Sequence, residues 1–157
     1  YNDLENGDQE AKIILIGLTP AAYGANRTGR IFTGDSSGNF LMRTLHRAGL
    51  ANIPRSERAD DGLFLKETYL TTAFDVLHHK TSQLLKKLSC KRFLRHELET
   101  LRKARATLTL GRIAFEVYKQ YLKEKGANVK GLGFGQGPSY QLDGHFPGLS
   151  VSYHPSR

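Results

Sequence analysis

The run Lys12 to Gly17 (KIILIG) is apolar after its first residue, largely β-branched and closed by glycine, which predicts a strand covered on both faces. After a long loop, Asp35 or Ser36 can cap a helix in which Phe40, Leu41, Leu45 and Ala48 recur at helical spacing, with Gly49 as its stop. Thr68 to Phe74 (TYLTTAF) reads as a second strand. Leu94, Leu98 and Leu101 mark a second amphipathic helix, which ends before a strand at Ala106 to Leu110 (ATLTL). Gly111 turns that strand into a third helix with Ile113, Val117 and Tyr121 inward, and Gly126 is placed to end it. A glycine-rich loop, GLGFGQG, and a last strand, LSVSY, complete the chain.

Strands that alternate with helices predict an α/β fold: a three-layer α/β/α sandwich around a central, mostly parallel, four-stranded sheet with right-handed crossovers. The polar stretch Asn52 to Lys66 reads as a connection inside one domain spanning residues 1–157, without repeats or low-complexity tracts. In open parallel sheets ligands collect beyond the carboxyl ends of the strands. Four unusual segments fall there: GLTPA after the first strand, Thr72 at the end of the second, Gly111 after the third and His154-Pro155-Ser156 after the last.

Bulk composition narrows the chemistry. A chain of 157 residues with 39% apolar content suits a single core. No apolar run approaches the ~20 residues of a membrane span, and YNDLENGDQEAK has neither a signal-peptide core nor an initiator Met. The expectation is an intracellular protein of cytoplasm, nucleoid or organelle matrix, trimmed at its ends and not bound to membranes. A lone cysteine, Cys90, excludes an internal disulfide and leaves a thiol-based metal site short of ligands. Net charge is +8, and residues 86–105 hold eight Lys or Arg against two Glu, so a polyanion is the natural partner, although a solvated helix face explains such a run equally well.

Familiar chemistries fit poorly. GLTPAAYG has neither the GxGxxG spacing nor a Walker Lys-Ser/Thr pair, and GFGQG reads as a turn. His78, His79 and Cys90 lack zinc-ligand spacing. Ser156 beside His154 does not make a nucleophile and base by adjacency alone.

Taken together, GLTPA, NRTGRIFTGD, FGQG and YHPS, in that order and with these spacings, resemble the uracil-DNA glycosylase superfamily, nearest to the family-five branch whose first motif is GLAPA. The resemblance runs from about Gly7 to Arg157. It implies a DNA glycosylase that hydrolyses the N-glycosidic bond of uracil or another deaminated base in DNA, single- or double-stranded, after the nucleotide is turned out, and so initiates base-excision repair. On that resemblance His154 donates to a carbonyl oxygen of the departing base, and it need not be charged to do so. Backbone N–H groups of the loop around Leu18, Thr19 and Ala21 add donors, Gly17 lines the same base site, and Pro20 stiffens the turn. Phe32 matches the aromatic on which the base stacks, the alternative being a core phenylalanine. Asp35 matches the carboxylate proposed to orient water and offset sugar cation charge, the alternative being a helix N-cap. Asn26 helps position the water or binds the backbone, whereas Arg27 and Arg30 read as phosphate contacts, with Gly111, Gly135 and Ser156 as further contacts to DNA.

This chain departs from the family in places. Thr72 stands where stricter uracil enzymes carry Asn, which implies broader base specificity, and Thr19 replaces the branch's Ala. Relatives in the branch hold a [4Fe–4S] cluster on four cysteines; Cys90 matches one, Val76 stands at another, and the remaining pair would precede Tyr1. No cofactor is therefore expected. No lysine stands in the matched motifs, so no Schiff-base lyase step is suggested. Relatives also continue past Arg157 with a duplex wedge, which has no counterpart in these residues. The competing expectation is a glycosylase-fold module that binds DNA or RNA in a larger assembly without turnover.

Overall fold

The computed structural model describes residues 7–18, 28–73 and 91–155. Eight elements follow in order among them: β1 (Ile13–Gly17), α1 (Ser36–Arg47), β2 (Thr68–Thr72), α2 (Lys91–Thr100), β3 (Ala106–Leu110), α3 (Arg112–Glu124), β4 (Ser139–Tyr140) and β5 (Gly148–Ser152). The sheet order is β2-β1-β3-β5-β4. The β2–β1, β1–β3 and β3–β5 pairs are parallel, and β4 joins β5 antiparallel through Ser139 opposite Ser150 and Tyr140 opposite Leu149. The sheet thus has five strands, one more than the sequence pattern predicted. A two-residue strand is too short to carry a period of two, and Pro138 before it reads as a turn.

Because β1 lies inside the sheet, its side chains are claimed alternately by both layers. Ile14 and Ile16 share a core with Tyr69, Leu149 and Val151 and with Leu94, Phe115, Tyr118 and Leu122 of α2 and α3. Leu15 faces the other way, with Leu70 and Leu110, onto Leu41, Met42 and Leu45 of α1. That is the predicted three-layer arrangement. The β2 edge is tied to α2 by polar contacts as well: Tyr69 Oη donates to Glu97 Oε1 at 3.1 Å and the Thr71 hydroxyl donates to Glu97 Oε2.

Three of the expected apolar positions lie outside the core, Ala48 among them, exposed at the C-cap of α1. Phe40 is 58% exposed and Met42 is fully buried in its place; Ile113 is 44% exposed, while Ala114, Phe115 and Tyr118 face the sheet. In both helices the buried stripe is rotated by about one position, which apolar spacing at a helix start does not distinguish.

Thr107 and Thr109 are fully buried on β3. Thr107 shares a 3.2 Å hydrogen bond with the Tyr118 hydroxyl, but Thr109 Oγ1 is a buried oxygen without a partner among the described residues. A buried hydroxyl without a hydrogen bond costs its desolvation, so Thr109→Val is expected to stabilise the fold by up to about 1 kcal/mol. A urea midpoint that rises checks it; a midpoint that falls contradicts it.

Candidate active site

At the carboxyl ends of the parallel strands the chain brings Gly17, Thr72, Gly111 and the segment after β5 side by side. Gly17 pairs with Thr72 in register, and its carbonyl accepts from Ala73 N–H at 2.8 Å. Gly111 N–H donates to Ser152 O at 2.8 Å. Gly111 has φ +96, and a Cβ there would lie 3.3 Å from His154 Cβ, so glycine lets the end of β3 lie against the residue that carries the imidazole.

Phe32 approaches from the opposite side. Its backbone sits at φ +51, a left-handed conformation that costs a non-glycine residue roughly 1–2 kcal/mol. Two glycines shape its seat: a Cβ on Gly17 would come within 2.5 Å of Phe32 Cζ, and a Cβ on Gly38 within 2.2 Å of the Phe32 carbonyl oxygen. The ring therefore rests on the bare backbone at the end of β1. Phe32 and His154 then face each other, with ring centroids 6.5 Å apart and planes 30° from parallel.

Asp35 stands beside this pair. It is the N-cap of α1, its Oδ1 accepting from Gly38 N–H at 2.7 Å. Burial lowers the His154 pKa from its ordinary 6.5, and the Asp35 charge opposes that shift by pulling it up. The imidazole is thus neutral at pH 7, a donor without a charge. As pH falls below 6.5 the unfolded chain takes up a proton that the folded chain resists, so His154 subtracts stability on the acid side. An NMR titration should place its midpoint below 6.5, and Asp35→Asn should move it further down; a midpoint at or above 6.5 contradicts this environment.

A second clamp holds the strand end that leads into His154. Gln136 Oε1 accepts from Tyr153 N–H at 2.7 Å and from the Ser152 hydroxyl at 3.2 Å, while Gly137 N–H donates to Val151 O at 2.9 Å. GFGQG is accordingly more than a turn: with Gly135 at its centre it fixes residues 151–153. On its outer side Arg112 lies over the Phe134 ring at 4.6 Å, and Phe134 packs against Tyr153, which is 58% exposed. Nothing in the glycine spacing announces Gln136; only its place between two glycines ahead of a strand hints at it.

The uracil DNA glycosylase superfamily profile matches residues 4–157. The chain is 43% identical over 152 residues to a type-5 uracil-DNA glycosylase of Thermus thermophilus, covering 96% of this chain and 67% of that protein. It is 36% identical over 151 residues to one from Pyrobaculum aerophilum (96% and 63%) and 37% identical over 153 residues to one from Mycobacterium tuberculosis (96% and 56%). This chain belongs to the uracil-DNA glycosylase superfamily. It spans between about half and two thirds of the length of these glycosylases.

Of the residues that the glycosylase motifs single out, the structure brings together Gly17, Phe32, Asp35, Gly111 and His154, with Leu18 and Thr72 partly buried at the adjoining strand ends. Thr19, Pro20, Ala21, Asn26, Arg27, Ser156 and Cys90, with Val76, His78 and His79, lie outside the described residues.

Arg30 is corrected. Its guanidinium turns inward to Asp61, with a side chain only 13% exposed, and is committed to protein acceptors rather than presented to a phosphate. Nη2 donates to Asp61 Oδ1 and Oδ2 at 2.8 and 2.9 Å and to Ser56 Oγ at 2.8 Å, Nε to Thr33 Oγ1 at 3.0 Å, and Nη1 to Ala59 O at 3.3 Å. The basic run is partly committed as well: Arg95 pairs with Glu124 and Lys103 with Glu10.

Within these 157 residues Cys90 is the one cysteine, whereas a [4Fe–4S] cluster takes four thiolates. Among the described residues no three His, Cys, Asp or Glu gather where a metal could sit.

Proposed function

We propose that this chain hydrolyses the bond between N1 of uracil and C1′ of deoxyribose in DNA, the first step of base-excision repair. The observation that carries the proposal is the Phe32–His154 pair, an aromatic face and a neutral imidazole opposed at 6.5 Å over the bare backbone of Gly17. The extruded base stacks on Phe32 and accepts a hydrogen bond from His154, which stabilises negative charge as the glycosidic bond lengthens. The carboxylate of Asp35 offsets positive charge on the sugar and orients water. Water supplies hydroxyl to C1′ and releases a proton, and the departing pyrimidine anion is protonated in turn. Net charge of +8, with Arg112 and Tyr153 exposed beside the site, supports docking on a phosphate backbone inside the cell, where DNA is kept. Thr72 presents one hydroxyl to the base edge, fewer donors and acceptors than an amide, and this supports acceptance of hypoxanthine and similar deaminated bases besides uracil.

The test is a labelled duplex with one uracil, incubated with protein and treated with alkali to cleave abasic sites. Scission that depends on both His154 and Asp35 supports the proposal. No scission, or scission unchanged in His154→Ala and Asp35→Ala, overturns it; salt-sensitive binding without scission is the outcome a non-catalytic DNA or RNA module would give. Gly17→Ala gives a graded check, because its methyl must push the Phe32 ring aside. Losing a base–aromatic stack worth ~1–3 kcal/mol should weaken productive binding by roughly fivefold to 150-fold, visible as raised KM. An unchanged KM would separate the ring from base binding.

A further inference from the structure

The segment 52–66, plain connection by its composition, supplies the support of Phe32. Asp61 lies at its heart, its side chain 16% exposed. Beyond the Arg30 pair it accepts from the backbone N–H groups of Glu57 (2.9 Å), Arg58 (3.2 Å) and Leu63 (3.1 Å), so it is a fixed anchor rather than a swinging surface acid. Burial alone would raise its carboxyl, but the Arg30 guanidinium and these N–H groups bring it down to about 2, so it remains charged under any working condition. From Asp61 the network reaches the site in two strides. Arg30 holds Thr33 and Ser56, whose hydroxyls bond each other; Thr33 Oγ1 also donates to Ile31 O at 3.1 Å, and Gly34 N–H donates to Ser56 O at 2.8 Å. Ser56 N–H donates in turn to Asn39 Oδ1 in α1 at 3.1 Å.

The residues bound in this way, Ile31, Thr33 and Gly34, flank Phe32 on both sides, and Asp35 follows. A left-handed Phe32 persists only where its surroundings over-determine it, and that is what these bonds do. We infer that the Arg30–Asp61 pair positions Phe32 and Asp35, making Asp61 a positioning residue for base excision. The inference rests on the reading of Phe32 as the stacking partner of the extruded base. Its consequence is that a change more than twenty residues away in sequence alters base excision without altering affinity for undamaged DNA, in which no base rests on Phe32.

Asp61→Asn and Arg30→Lys test it, each assayed well below its own Tm. Positioning predicts single-turnover uracil release slower by about 10²-fold, the scale of a 1 Å misplacement, with Kd for undamaged DNA within about twofold of wild type. A folded variant that lowers Tm yet releases uracil at the wild-type rate overturns the inference. Should Asp61→Asn fail to fold, Ser56→Ala, which cuts the same network one bond nearer the site, decides by the same criterion. If wild type itself releases no uracil, the glycosylase reading fails and positioning is judged by ring-to-ring NOEs between Phe32 and His154: retained in the variants, they overturn it; lost, they sustain it.

Discussion

Asp35→Asn should slow uracil release by about 10²- to 10⁴-fold, the range spanned by a positioned acid or base, with little change in Tm. The two roles of Asp35 make the substitution informative. As N-cap it needs only an oxygen for Gly38 N–H, and Asn caps about as well as Asp. Loss of the carboxylate charge at the helix N-terminus costs a further ~0.3–1 kcal/mol at most on an exposed helix. Toward the sugar, by contrast, only the anion can offset cation charge or take a proton from water. Asp35→Ala removes both roles, so it should match Asn in rate and fall below it in stability. A fully active Asn variant would reduce Asp35 to a cap.

Removal of the imidazole comes next in size. His154→Ala is expected to lower kcat by about 10²- to 10³-fold with KM nearly unchanged, as for other fixed donors that act mainly on developing negative charge. His154 is held by elements that do not depend on its ring: Gly111 lies against its Cβ, and Gln136 fixes the residue before it. The variant should therefore fold, and rate against temperature below Tm separates chemistry from stability. A loss confined to KM would make His154 a binding group only.

Much of the fold was legible from periodicity because the main strands and helices are long enough to carry it. β1, β2, β3 and β5 and the three helices stand within a few residues of the expected positions. β4 was not legible: two residues have no period, and its pairing is decided by β5. Phe40 and Ile113 were misassigned because an apolar residue next to the buried stripe looks the same as one within it, and only the partner surface decides. At the site, local motifs pointed to Gly17, Phe32, Asp35 and His154, but not to their mutual geometry, which depends on a sheet order that places β3 between β1 and β5. Arg30 shows the converse limit. Its charge was visible and its partner was not, since Asp61 lies in a segment whose polarity reads equally as solvated loop.

If His154 stabilises the departing base as an anion, the acidity of that base sets how much the imidazole is needed. Single-turnover release of 5-fluorouracil and of uracil should be compared in wild type and His154→Ala, because the fluorinated base is the more acidic and needs less help to depart. The substitution should slow uracil markedly more than 5-fluorouracil; equal slowing of both would mean that His154 does not act on the leaving group.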